Sequence, residues 1–98
     1  MVSLLVLGLG AGLAEAGDIE AGKVRAQACA GCHGKDGKAQ NPEWPNLAGQ
    51  NANYIVRQLK AFQAGTRKNE LMSPMAQSLN DQDVENVAAY FSSLKACE

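Results

Sequence analysis

The chain has 98 residues, with nine Lys and Arg against ten Asp and Glu and a formal net charge of −1. That balance supplies neither the basic surface that nucleic acid requires nor a run of like charge that would form an electrostatic tail. One small domain is expected, burying only about 60% of its unfolded surface and therefore gaining from a covalent or metal staple.

Residues 1–13 are almost wholly apolar or Gly, a run shorter than the about 20 apolar residues that span a bilayer. Ala14-Glu15-Ala16 is an A-x-A-like cleavage site, and Gly17-Asp18 turns polar. Residues 1–16 therefore read as a signal peptide, either atypical or truncated at its start because no Lys or Arg precedes Lys23, with residues 17–98 as the exported domain. The processed chain is expected to be exported, with no stable membrane insertion; a retained anchor is the alternative.

Asp18 is a good N-cap, Glu20 follows it early, and Lys23 and Arg25 come later, as the helix dipole prefers. A helix is expected over residues 19–29. Gly22 inside it costs about 1 kcal/mol against Ala, which suggests close packing against another helix. This helix runs into Cys29-Ala30-Gly31-Cys32-His33. Two thiols and an imidazole at i, i+3 and i+4 share one side of a helical turn. C-x-x-C-H at this spacing reads as a c-type haem attachment, with Cys29 and Cys32 as thioethers and His33 as an axial ligand. A thioredoxin-like C-x-x-C expects a βαβ pattern, and no strand-like alternation is present. A structural zinc site needs a fourth ligand, whereas His33 is the only histidine and Cys97 stands apart. A plain disulfide between Cys29 and Cys32 is the remaining alternative.

Residues 34–49 carry Gly34, Gly37, Asn41, Pro42, Pro45, Asn46 and Gly49 and read as a long loop wrapped around something. Trp44 within it is expected to fill the core or a haem edge. Residues 51–64 form a second helix, with Ala52, Ile55, Val56, Leu59 and Phe62 on one face and Gly65 closing it. Residues 66–70 are polar loop, and in residues 71–76 Pro74 is expected to break any helix. Asn80 caps the last helix, with Asp83 in the reciprocal position of a capping box. Val84, Val87, Ala88, Phe91 and Leu94 then form its apolar stripe. The fold class is all-α, three main helices with long loops around one covalent haem.

A six-coordinate iron needs a ligand opposite His33. Lys, Tyr and Cys97 are candidates, but a soft thioether would favour Fe(II) and raise the potential, which singles out Met72 and Met75.

The chain resembles the class I c-type cytochromes, particularly small soluble monohaem bacterial cytochrome c-553 and the single-haem halves of cytochrome c4. The resemblance rests on Gly17-Asp18-Ile19-Glu20-Ala21-Gly22-Lys23, on Cys29 to His33 with Gly34-Lys35-Asp36-Gly37, on Pro45-Asn46-Leu47-Ala48-Gly49-Gln50, and on Leu79-Asn80-Asp81-Gln82-Asp83 with Ala88-Ala89-Tyr90-Phe91. It implies one haem c. It implies Met72 as axial ligand, counting eight residues back from Asn80, with Met75 as the alternative. It implies Pro45 as the proline whose carbonyl accepts the hydrogen bond of the axial histidine. Gly22 and Tyr90/Phe91 match the crossing of the first and last helices. Cys97 has no role in the family pattern.

The function that the resemblance implies is a one-electron carrier in the bacterial periplasm, not an enzyme, with redox proteins docking at the exposed haem edge. Lys35, Lys38, Arg67 and Lys68 are the candidate rim charges for acidic partners. A mostly monomeric chain is expected, with a Cys97-linked dimer as the alternative. A haem enzyme or gas sensor with a labile Met ligand, or an electron-entry subunit of a larger complex, are the competing functions. The absence of a second histidine argues against peroxidase-like acid–base chemistry.

Overall fold

The computed structural model describes residues 16–96. The leader expected over residues 1–16 thus lies outside the described residues except for Ala16, and Cys97 lies outside them as well. The described residues hold five α-helices and no strand: α1 Ile19–Arg25, α2 Ala30–His33, α3 Ala52–Ala64, α4 Met72–Gln77 and α5 Asp81–Ser93.

Helix α1 starts where its residues require. The Asp18 side chain accepts hydrogen bonds from Glu20 N and Ala21 N, satisfying orphan donors of the first turn. The helix does not run unbroken to Cys29 as expected. Residues Ala26–Cys29 form a 3-10 segment before α2 resumes. Four residues at 3.0 rather than 3.6 per turn advance the phase by roughly 80°. Helix α1 can thus face α5 while the Cys29–His33 turn faces elsewhere.

Helices α1 and α5 cross at Gly22, which is buried among backbone atoms of Asn86 and the Tyr90 Cβ. Asp18 N–H donates to Asn86 Oδ1 at 2.9 Å, pinning the start of α1 to the same crossing. Helix α3 packs on α5 through Ile55, Leu59 and Phe62 against Val84, Val87 and Phe91. Val84 and Phe91 are the largest fully buried side chains, each contributing about 1.5–3 kcal/mol by leaving water. Asn51 caps α3 by accepting from Tyr54 N–H, and Gly65 ends it at φ 83°, in left-handed conformation. Helix α5 opens with the full capping box: Asp83 N–H donates to Asn80 Oδ1 at 2.7 Å, and Asn80 N–H to Asp83 Oδ2 at 3.0 Å.

Helix α4 corrects an expectation. Pro74 does not break the helix, because it is the third residue of Met72–Gln77. First-turn N–H groups have no intrahelical acceptor, so the missing proline donor costs nothing there.

The loop over residues 34–49 satisfies its own polar groups. Gly37 O accepts from Leu47 N–H at 2.7 Å and Ala48 N–H at 3.0 Å, closing the loop. Ala39 N–H donates to Asn46 Oδ1 at 2.7 Å. Two bonds then fix the loop to α5: Gly49 N–H to Phe91 O at 2.9 Å, and Tyr90 O–H to Lys35 O at 3.2 Å.

Candidate functional site

The Cys29–His33 turn leaves α1 through the 3-10 segment and ends at Gly34. At φ 84° and with Lys38 backbone where a Cβ would sit, Gly34 lets the chain reverse immediately after His33. That reversal delivers the loop back over the imidazole. His33 Nδ1 lies 2.8 Å from Pro45 O, and the ring is only 6% exposed. A carbonyl can only accept, so Nδ1 carries a proton, and in the neutral ring it is Nε2 that holds the lone pair. The bond is built by the loop's own closure and its anchorage on α5.

Cys29 and Cys32 are free thiols, both half-buried. No disulfide joins them. Burial pushes the Cys29 thiol up from its ordinary value, with Arg25 opposing that shift and Cys32 adding to it. Cys29 packs against the core, as do Leu47 and Met72. Among the described residues no three or more His, Cys, Asp or Glu side chains gather as a metal cluster, so the zinc alternative gains nothing.

The two methionines occupy different environments. Met72 opens α4 and packs against the core cluster, whereas Met75 is 37% exposed. Both sit on the helix that lies against α3. Two free thiols on one turn, a buried imidazole with a free Nε2 lone pair and a core-packed thioether form a donor set that fits a c-type haem.

A cavity of about 660 Å³ adjoins Cys32 and is lined by Gly31, Lys35, Asp36, Lys38 and Trp44 among others. Neither His33 nor Met72 lines it, so it opens on the thiol side of the turn. Trp44 belongs here, half-buried, and not to the buried core. The four rim cations separate. Lys35 and Lys38 flank this cavity. Arg67 lies 4.6 Å over the Phe62 ring and bonds Gln58, and Lys68 borders a second hollow with Glu70 and Gln77.

Two residues escaped the sequence reading. Asn69 Oδ1 accepts from Leu71 N–H at 2.8 Å and Met72 N–H at 2.9 Å. An Asn three residues ahead of Met72 is an N-cap signal that the expected proline break obscured. Gln63, on α3, donates to Ala76 O at 2.9 Å and Leu79 O at 3.0 Å. No local pattern announces it, because its partners lie across the fold.

A cytochrome c family model matches residues 19–95. Cytochrome c-554(548) of Halomonas halodenitrificans is 47% identical over 81 residues, covering 80% of this chain and 98% of that protein. Cytochrome c4 of Stutzerimonas stutzeri is 43% identical over 101 residues, covering 94% of this chain and 48% of that one. The crystal structure of reduced recombinant cytochrome c4 from Pseudomonas stutzeri superposes with a TM-score of 0.77 at 44% identity, over 82% of this chain and 47% of the other. The chain therefore spans nearly all of the first relative and about half of the cytochromes c4.

Proposed function

This chain belongs to the cytochrome c family, electron-transfer proteins with covalently bound haem c, and on that premise we propose how its residues hold one haem and what surrounds them. Cys29 and Cys32 form the two thioethers. His33 Nε2 and the Met72 thioether would hold the iron, with Met75 as the alternative to Met72. When bound, the haem supplies reversible one-electron Fe(III)/Fe(II) exchange. The chain does the rest. Pro45 O fixes the tautomer and orientation of His33, and strengthens it as a ligand. The Met72 sulfur favours the reduced state and raises the potential. With His33 and Met72 both holding the iron, no vacancy would be left for a substrate. The reading is carried by the His33–Pro45 bond: a buried ring held at Nδ1 presents Nε2 and nothing else.

Lys35 and Lys38, beside the cavity at Cys32, suit acidic redox proteins that dock at the haem edge. Arg67 and Lys68 lie elsewhere and are left out of that rim. Residues 1–16 act as the signal peptide, and the domain from residue 17 onward works in the periplasm as a monomer. Among the described residues no helix is long and apolar enough to cross a membrane. A periplasmic fraction should yield a mature chain beginning at Gly17 that runs as a monomer on non-reducing gels, its Cys97 thiol unpaired.

The decisive experiment is the near-infrared Met–Fe(III) band of the oxidised protein. Met72→Ala should abolish it and Met75→Ala should leave it, with no rapid binding of CO to the reduced wild-type protein. The reverse methionine pattern would assign the sulfur to Met75. Fast CO binding would point to an open iron site.

A further inference from the structure

Helix α4 has six residues, about half the length at which an isolated helix becomes even marginally stable in water. Only Ala76 of α4 is fully buried. Its persistence depends on what holds its two ends, and both are held by side chains of no other evident use.

At the N-terminal end Leu71 offers no side-chain cap. Asn69 caps from further back: its Oδ1 takes the N–H groups of Leu71 and Met72 together. Asn69 and Ser73 also exchange bonds, Ser73 N–H to Asn69 O at 3.0 Å and Asn69 N–H to Ser73 Oγ at 3.1 Å. At the C-terminal end the Gln63 amide bridges Ala76 O and Leu79 O. Both protons of that amide are used, one on Ala76 O in the last turn of α4, which also accepts from Leu79 N–H, and one on Leu79 O in the segment leading to α5. Gln63 is fixed on the long helix α3, so the bridge ties the short helix to a rigid one.

We propose that Asn69 and Gln63 are positioning residues for Met72, holding α4 from both ends so that the thioether stays against the iron and exogenous ligands stay out. This rests on Met72 being the sulfur ligand. The two residues touch no reacting atom; they set the equilibrium between a seated and a swung-away Met72.

The test is displacement of Met72 by imidazole in the oxidised, haem-loaded protein, read from loss of the near-infrared band, alongside thermal midpoints. Asn69→Ala should lower the imidazole concentration for half-displacement about fivefold, the equivalent of a cap worth about 1 kcal/mol. Asn69→Asp keeps the acceptor oxygen and should restore the wild-type value. Gln63→Met keeps the side chain's length without its donors and should also lower it about fivefold. It carries the test alone should Asn69→Ala not load haem. Asn51→Ala removes the cap of α3 instead, and should lower the thermal midpoint without changing displacement. Wild-type displacement in both Asn69→Ala and Gln63→Met would overturn the proposal, as would an equal shift in Asn51→Ala or no rescue by Asn69→Asp. Retention of the band in Met72→Ala would instead overturn the ligand assignment beneath it.

Discussion

Gly22 on α1 and Asn86 on α5 meet backbone to backbone. A Cβ added at Gly22 would run into the Asn86 carbonyl oxygen, come within 2.6 Å of its carbonyl carbon and within 2.9 Å of Tyr90 Cβ. Backbone cannot swing aside as a flexible side-chain tip can. Gly22→Ala would gain about 1 kcal/mol of helix propensity, against an overpacking cost of typically 1–3 kcal/mol and more where backbone must move. The clash wins here, because it falls on three atoms at once. We expect a net loss of about 1–2 kcal/mol, a thermal midpoint lower by about 4–16 °C. An unchanged or raised midpoint would show that the helices slide apart at no cost.

Pro45 contributes a backbone oxygen to His33, not a side chain. Pro45→Ala keeps that acceptor and removes only the ring that fixes φ. The unfolded chain gains freedom worth about 0.4–1 kcal/mol, so the midpoint should fall by a few degrees. The His33 Nδ1 proton should remain slow to exchange by NMR. Rapid exchange in the variant would mean that the loop's closure through Gly37 and Asn46 cannot hold the carbonyl in place without the ring.

The parts of this fold legible in the sequence are those whose physics is local. Asp18, Asn80 and Gly65 mark helix ends because caps act within one turn, and each does so in the structure. Gly22 announced a helix crossing because a helix tolerates Gly at a cost only where something needs the space. What the sequence concealed depends on distance or on position within a turn. Pro74 reads as a breaker until the start of α4 is known, and only then does it fall on a first-turn position. Gln63 and Tyr90 act across the fold, on Ala76 O, Leu79 O and Lys35 O, and nothing beside them in the chain says so. Trp44 reads as filling either the core or a haem edge, and nothing local to it chooses between them; its loop carries it to the rim of the cavity beside Cys32 and not into the core.

Removing the haem attachment should remove much of the fold. Helices α2 and α4, of four and six residues, lie far below the length of independent stability. The buried core outside them rests on a handful of large side chains from α3 and α5. In Cys29→Ala/Cys32→Ala we expect reduced far-UV helicity and a broad, weakly cooperative melt. Full native helicity in that double variant would show that the polypeptide folds without its prosthetic group.

Asp83 serves two partners, and they can be separated. Its carboxylate accepts from Asn80 N–H at 3.0 Å in the capping box and lies 3.3 Å from Arg25 Nε, joining α5 to α1. Arg25 also donates to Ser78 O at 3.1 Å. The ion pair is partly exposed, with the Arg25 side chain 37% accessible, so it should contribute only about 0.2–1 kcal/mol. Loss of the cap should cost more, about 0.5–2 kcal/mol. Asp83→Asn keeps an acceptor oxygen for Asn80 and loses the charge, isolating the ion pair. Asn80→Ala loses the cap and leaves the ion pair. In denaturant titrations Asn80→Ala should therefore be the more destabilising. The Asp83→Asn penalty should shrink in 1 M salt, where screening reaches within about 3 Å, while the Asn80→Ala penalty should persist. Equal salt dependence of the two variants would mean that the capping box and the ion pair act as one unit.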